Sequence, residues 1–172
     1  MKKRFIYSLN GFGLELDLIH WQWSRFEELS GQEVYSILKA RQDVFIVEQD
    51  CPYHDADDLD QVSLHLSGWG KDRSDLAAYL RVIPPSPTND VVAIGRVITT
   101  SAYRGSGLGK ELMEVAVKQA LDMFPENDLY LSGQAHLQAF YSAYGFEPEG
   151  EIYEEDGIPH IAMFLRRSGE VA

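Results

Sequence analysis

Gly95-Arg96-Val97-Ile98-Thr99-Thr100-Ser101-Ala102-Tyr103-Arg104-Gly105-Ser106-Gly107-Leu108-Gly109-Lys110 is the stretch on which the reading of this chain turns. It starts as a β-branched strand and passes through a basic, glycine-rich loop. It then opens into the helical pattern Leu112, Met113, Val115, Ala116, Ala120 and Leu121. A strand, a tight glycine turn and a helix N-terminus together make an anion site. The first N–H groups of a helix have no intrahelical acceptor, and the helix dipole adds partial positive charge there. Glycines 105, 107 and 109 would let a phosphate approach the backbone without meeting a Cβ. The same residues would also serve as a plain turn before a helix.

Spacing separates the common phosphate loops. A Walker A loop needs a glycine where this chain has Arg104, and a hydroxyl where it has Glu111. A dinucleotide fingerprint needs G-x-G-x-x-G in an opening strand–turn–helix unit. Here the spacing is G-x-G-x-G and lies far along the chain. Arg104-x-x-Gly107-x-Gly109 instead resembles the R/Q-x-x-G-x-G/A pyrophosphate loop of the GNAT acetyltransferases. Gln138-Ala139-Phe140-Tyr141-Ser142-Ala143-Tyr144-Gly145-Phe146 resembles the second signature of that superfamily, a helix carrying F-Y followed by G-F. The chain is similar in particular to the ElaA-like subgroup. The matching pieces are the stretch from Leu38 to Gln49, Cys51-Pro52-Tyr53, Asp57-Asp58-Leu59-Asp60, the stretch from Gly133 to Gln138, and that from Tyr153 to Met163. They span nearly the whole chain.

The 172 residues suit a single domain with a sizeable core, and 45% hydrophobic with 24% charged residues is an ordinary globular balance. The net charge of −12, with no basic stripe, excludes a nucleic-acid partner and suits a cationic or amine substrate as well as plain solubility. The single cysteine, Cys51, rules out an intrachain disulfide and reads as a partly buried structural thiol. Met1-Lys2-Lys3-Arg4 precedes no clean apolar core, and no run approaches a membrane span. A cytoplasmic protein is expected. Residues 1–18 are weakly patterned and read as an N-terminal extension. Residues 19–172 read as one domain.

Along the chain, Trp21 to Phe26 reads as a strand. Ser30 caps a helix whose Glu33 completes a capping box, with Val34, Ile37, Leu38 and Arg41 following at helical spacing. Asp50 to Asp60 is an acidic loop, read as solvated and facing a cationic substrate. Val62, Leu64 and Leu66 alternate with polar residues as in a half-buried strand. Leu76–Ile83 and Val91–Thr99 are strands, Lys110–Phe124 is an amphipathic helix, Leu129–Leu131 is a strand, and His136–Tyr144 is a helix closed by Gly145. Ile152–Glu154 and His160–Arg166 read as a hairpin turned at Asp156-Gly157. The resemblance implies an α/β (α+β) GNAT fold: a mixed, mostly antiparallel sheet of six or seven strands flanked by helices.

The resemblance also implies acetyl-CoA as co-substrate. Its pyrophosphate would lie on the amides of Arg104, Gly105, Ser106, Gly107, Leu108 and Gly109, and its pantetheine arm beside Val97, Ile98 and Thr99. Main-chain N–H near Ile98 would hold the acetyl carbonyl. Tyr141 is the candidate general acid, because a phenol is protonated at neutral pH; the other reading is a packing aromatic. Gln134 and Gln138 stand where many members carry asparagine, and their amides suit the pantetheine amides. Candidates for the base are Glu48, preferred because it follows the apolar run Val44 to Val47, then His65, Asp156, His136 and His160. Glu48 reads equally as a surface carboxylate or a partner of Arg41. No metal-ligand spacing is present, so no metal is expected. The acceptor would be an amine of a small molecule or peptide, and the C-terminal strands offer an edge for a homodimer. Two functions fit: an N-acetyltransferase, or a module that binds acetyl-CoA or CoA without turnover.

Overall fold

The computed structural model describes residues 6–7 and 19–167. The expected N-terminal extension over 1–18 falls outside these, apart from Ile6–Tyr7, which form strand β1. The other strands are β2 (His20–Arg25), β3 (Leu64–Trp69), β4 (Leu76–Ile83), β5 (Val92–Thr99), β6 (Leu129–Gln134), β7 (Glu147–Glu155) and β8 (Ile158–Leu165). The helices are α1 (Gly31–Arg41), α2 (Leu108–Met123) and α3 (Gln138–Ser142). The strands are hydrogen-bonded in the order β1-β2-β3-β4-β5-β6-β8-β7. Seven of these eight are the strands outlined by the sequence pattern, and β1 is the addition. The sheet is mixed and mostly antiparallel, as expected. Among the described residues no helix is long and apolar enough to cross a membrane.

The chain gathers into two compact units. One joins the described residues up to Arg81 with Arg96–Leu112; the other joins Val82–Gly95 with the described residues from Met113 onward.

In the first unit, β2 pairs antiparallel with β1 and β3, with Trp23 opposite Leu66 and Ser24 opposite His65. Ser30 caps α1: its hydroxyl accepts from the Glu33 N–H, and Glu33 Oε2 accepts from the Ser30 N–H at 2.7 Å, completing the capping box. Ile37, Ala40 and Val44, three and four residues apart, form one buried stripe with Trp69, Leu76, Tyr79 and Ile98. The chain runs on from α1 into a seven-residue π-helix, Gln42–Glu48, whose wider turns are closed by Gln49 N–H donating to the Val44 carbonyl at 3.2 Å. Val44 stays inside; Val47 and Glu48 are turned out.

Strand β3 departs from the half-buried alternation. Its polar positions His65 and Ser67 are as buried as Leu66. His65 packs between the rings of Phe26 and Tyr79, and both of its nitrogens find partners inside the protein. A polar strand face can therefore be covered without leaving the histidine unsatisfied.

In the second unit, β5 and β6 pair in parallel through Val92 with Leu129 and Ala93 with Tyr130. β6 and β7 both pair antiparallel with β8. The β7–β8 hairpin turns at Asp156-Gly157, with φ of 51° and 79°, the two left-handed positions that an Asp-Gly hairpin turn demands. β7 is longer than the pattern Ile152–Glu154 suggests, because a register shift between Glu149 and Tyr153 absorbs Gly150. Leu129, Leu131, Phe146, Ile161 and Met163 form buried core of this unit.

Candidate functional site

The loop from Ser101 to Gly107 joins β5 to α2. Gly105 (φ 78°) and Gly107 (φ 87°) take left-handed backbone, and a Cβ built on either meets nothing within 4 Å. These glycines are thus required by conformation, and the space beside them is open. The first turn of α2 closes on Gly107, whose carbonyl accepts from Lys110 N–H at 2.9 Å. The loop's base is fastened. Thr100 N–H donates to the Ala77 carbonyl at 2.9 Å, Tyr103 Oη to Asp75 Oδ2 at 2.6 Å, and Ser106 Oγ to the Tyr103 carbonyl at 2.8 Å. Beside it lies a cavity of about 170 Å³ lined by Ile19, Ala102, Tyr103, Arg104, Ser106, Leu108 and Glu111. Glu111 accepts from the Trp21 indole at 2.7 Å. A helix N-terminus, two left-handed glycines, open space and one exposed guanidinium fit a pyrophosphate.

That guanidinium is Arg104. Its Nε donates to the Thr99 carbonyl at 3.0 Å, and its Nη1 pairs with Glu48 Oε2 at 2.7 Å. The structure therefore brings together the preferred base candidate and the first residue of the loop. The alternative pairing of Glu48 with Arg41 is not found, because Arg41 faces inward.

Arg41 belongs to a cluster that overturns the reading of Asp50 to Asp60 as a solvated acidic face. Asp55 and Asp60 are buried. Arg41 Nε pairs with Asp55 and its Nη1 with Asp60, both at 2.8 Å, and its Nη2 donates to the Asp55 carbonyl at 2.8 Å. Arg81 pairs with Asp60 at 2.8 Å and with Asp57. Arg96 Nε pairs with Asp55 at 2.7 Å and its Nη2 with Asp57 at 3.3 Å. Three carboxylates are thus spent on three guanidinium groups rather than on an incoming cation. His65 is fixed beside them: Nδ1 lies 2.7 Å from Tyr79 Oη, and Nε2 is 2.9 Å from the Asp60 carbonyl. A carbonyl only accepts, so Nε2 carries the hydrogen and Nδ1 accepts from the phenol. Burial holds this imidazole below its ordinary pKa. It is a satisfied core histidine rather than a base. The cluster went unread in the sequence, although Arg81 and Arg96 within apolar strands were its signal, since a charge in such a strand must be paired.

Burial alone would raise the Asp57 carboxyl. Hydrogen bonds and charge from Arg81, the Leu59 N–H and Arg96 outweigh it and hold the group at about 2; Asp60 is likewise held low, against burial, by Arg41 and Arg81. A depressed carboxyl contributes stability above its unfolded pKa and loses it as pH falls through the folded one. Urea midpoints are accordingly expected to be flat from pH 7 to about 5 and to fall between about pH 4 and 2. A midpoint insensitive to pH over that lower range would show that the cluster is not formed.

One more feature of this unit is Arg96 itself. It has φ of 56° in the middle of β5, a left-handed conformation that costs a non-glycine residue roughly 1–3 kcal/mol. Val97 to Thr99 follow directly, with the Ile98 side chain buried in the core.

In the second unit, Tyr141 sits on α3 and is buried. Its ring packs on Gly133, where an added Cβ would lie 3.0 Å from Cε2, and edge-on to Phe140 at 5.2 Å. Burial pushes its phenol up to about 12, so it is protonated at neutral pH. Gln134 ends β6 and Gln138 opens α3, and both are partly exposed. Gln134 lies opposite His160 in the β6–β8 register. His160 stacks on Tyr153, and its Nδ1 donates to the Ile158 carbonyl at 2.8 Å, which leaves the imidazole lone pair on Nε2. Ser132, Tyr153 and Glu155 are joined beside it, with Ser132 Oγ donating to Glu155 Oε2 at 2.8 Å. His136 is exposed in the short turn Ala135–Leu137, and Asp156 forms the hairpin turn.

Residues 75–167 match the acetyltransferase (GNAT) domain family. The chain is similar to protein ElaA of Escherichia coli K12, at 44% identity over 148 residues, 85% of this chain and 95% of that protein. A UPF0039 protein of Synechocystis is 42% identical, covering 86% of this chain and 96% of its own. Among solved structures, an acyl-CoA N-acyltransferase from Pseudomonas aeruginosa superposes with a TM-score of 0.81 at 45% identity, over 86% of this chain and 99% of that one. Escherichia coli ElaA superposes at 0.80 and 42%, over 86% and 99%.

Proposed function

Because this chain belongs to the GNAT acetyltransferase family, we propose that it moves an acetyl group from acetyl-CoA to a primary amine of a small molecule or peptide. The observation that carries this reading is the strand–loop–helix turn with Gly105 and Gly107 left-handed at the start of α2. Bound there, acetyl-CoA supplies the acetyl group as a thioester, whose C–S bond breaks as the amine nitrogen bonds the carbonyl carbon.

The residues divide the work. The N–H groups of Gly105 to Gly109 hold the pyrophosphate, as a helix N-terminus holds an anion. Main-chain groups of Val97, Ile98 and Thr99 align the pantetheine arm, and an N–H near Ile98 draws charge onto the carbonyl oxygen. Gln134 and Gln138 offer amides to the arm. Arg104 has two claimants, Glu48 and the phosphates. As phosphate takes the guanidinium, Glu48 is released to accept a proton from the ammonium, which is mostly charged at neutral pH. His160 Nε2 is the second acceptor in this scheme. Tyr141 gives its proton to the departing sulfur.

Calorimetric titration with acetyl-CoA tests the reading, with Gly107→Glu as control. The substitution puts a side chain on left-handed backbone and a negative charge at the proposed phosphate position. Micromolar binding is expected for the parent, with at least a hundredfold loss in the variant. A parent that does not bind would overturn the acetyltransferase reading. Binding with no thiol release across a panel of primary amines would leave a module that holds the nucleotide without turnover.

A further inference from the structure

Arg96 is an arginine where the backbone asks for glycine. It sits at φ 56° inside β5, one residue after Gly95, with its side chain about four-fifths buried. Nothing local favours that placement, so the surroundings must enforce it. They do so from several sides. Asp55 Oδ1 accepts from Nε at 2.7 Å, and the Asp55 carbonyl from Nη2 at 3.2 Å. Asp57 Oδ2 accepts from Nη2 at 3.3 Å. The rings of Tyr53 and Phe45 lie 5.5 and 5.9 Å from the guanidinium carbon. The clamp is itself anchored, because Asp55 is held by Arg41 of α1 and Asp57 by Arg81 of β4.

The segment that follows is fixed at its far end too. The Thr99 carbonyl accepts from Arg104 Nε, and Thr100 N–H donates to the Ala77 carbonyl of β4. Between these points lie only Val97, Ile98 and Thr99. The φ at Arg96 sets the orientation of the peptide planes that come after it, since φ and ψ are the backbone's only soft torsions.

We infer that Arg96, gripped by the Asp55 and Asp57 carboxylates, is a positioning residue that holds the left-handed turn in β5 and so aims the main-chain N–H groups of Val97 to Thr99 at the acetyl carbonyl. This rests on the function proposed above. The buried cluster thereby has a role beyond the core: the acidic loop acts on the acyl group through backbone geometry rather than by attracting a cation.

The test compares acetyl-CoA with CoA as calorimetric ligands in the parent, Arg96→Ala and Arg96→Gly. Both ligands share the pyrophosphate, and only one has the carbonyl. The parent is expected to prefer acetyl-CoA about three- to tenfold, the worth of one hydrogen bond. Arg96→Ala, which disfavours positive φ and lacks the clamp, is expected to lose that preference while still binding CoA. Arg96→Gly accepts positive φ freely and is expected to recover most of it. A merely structural arginine predicts that both variants lose stability while keeping the parent's preference for acetyl-CoA. Equal preference in Arg96→Ala and parent, equal loss in both variants, or failure of both variants to fold would each overturn the positioning role. Equal binding of the two ligands by the parent would overturn it while leaving the nucleotide site intact. Binding of neither would overturn the function it rests on.

Discussion

Replacing Arg41 by alanine is expected to destabilise the protein by about 3–5 kcal/mol, a large share of a typical domain's total. The side chain is fully buried and serves three acceptors at 2.8 Å: Asp55 Oδ2, Asp60 Oδ1 and the Asp55 carbonyl. It also lies over the Tyr79 ring. Arg41, Arg81 and Arg96 balance Asp55, Asp57 and Asp60. Removing one guanidinium leaves the cluster a net negative charge away from water and an unfilled space beside α1. Asp55 keeps Arg96 and Asp60 keeps Arg81, which limits the loss to the range of a single broken pair. Arg41→Lys is expected to recover only part, since one ammonium cannot reproduce a planar fork on three acceptors. Urea unfolding followed by circular dichroism checks both variants. A loss below about 1 kcal/mol in Arg41→Ala would mean that water reaches the cluster and that its charges are screened.

The same cluster marks where the sequence is legible and where it is not. The capping box at Ser30 and Glu33 is a local pattern and folds as written. The glycine loop is local as well: left-handed positions at 105 and 107 follow from residue type, and so does the Asp156-Gly157 turn. Family membership is readable because both signatures are short and contiguous. The burial of Asp55 and Asp60 is not, because it depends on Arg41, Arg81 and Arg96, which lie 14 to 41 residues away. Five aspartates in the eleven residues from Asp50 to Asp60 look like a solvated loop until those partners are in place. His65 follows the same logic. Its strand alternates like a half-exposed one, and only Tyr79 and the Asp60 carbonyl explain how an imidazole can be enclosed. The left-handed Arg96 carries no sequence mark at all, since the glycine that would advertise it stands one position earlier.

Replacing Tyr141 by phenylalanine is expected to lower kcat by at least about a hundredfold, the lower range for losing a positioned proton donor, while changing acetyl-CoA affinity less than twofold. The substitution is chosen to separate two roles. The ring fills the space over Gly133 and meets Phe140 edge-on, and phenylalanine keeps both contacts, so the melting temperature should stay close to the parent's. A tyrosine that only packs would leave kcat unchanged. The phenol adds a second readout. Burial pushes it up to about 12, so it stays protonated as pH rises through the neutral and mildly basic range. An acid is lost only when pH rises through its own pKa, so the rate should show no fall attributable to Tyr141 below about pH 10. The rate is read as thiol release with whichever primary amine supports turnover. A kcat within threefold of the parent would remove Tyr141 from the chemistry and return it to the core. A hundredfold loss with parental stability and nucleotide affinity would assign the proton on the departing sulfur to this phenol, because nothing else about the ring has changed.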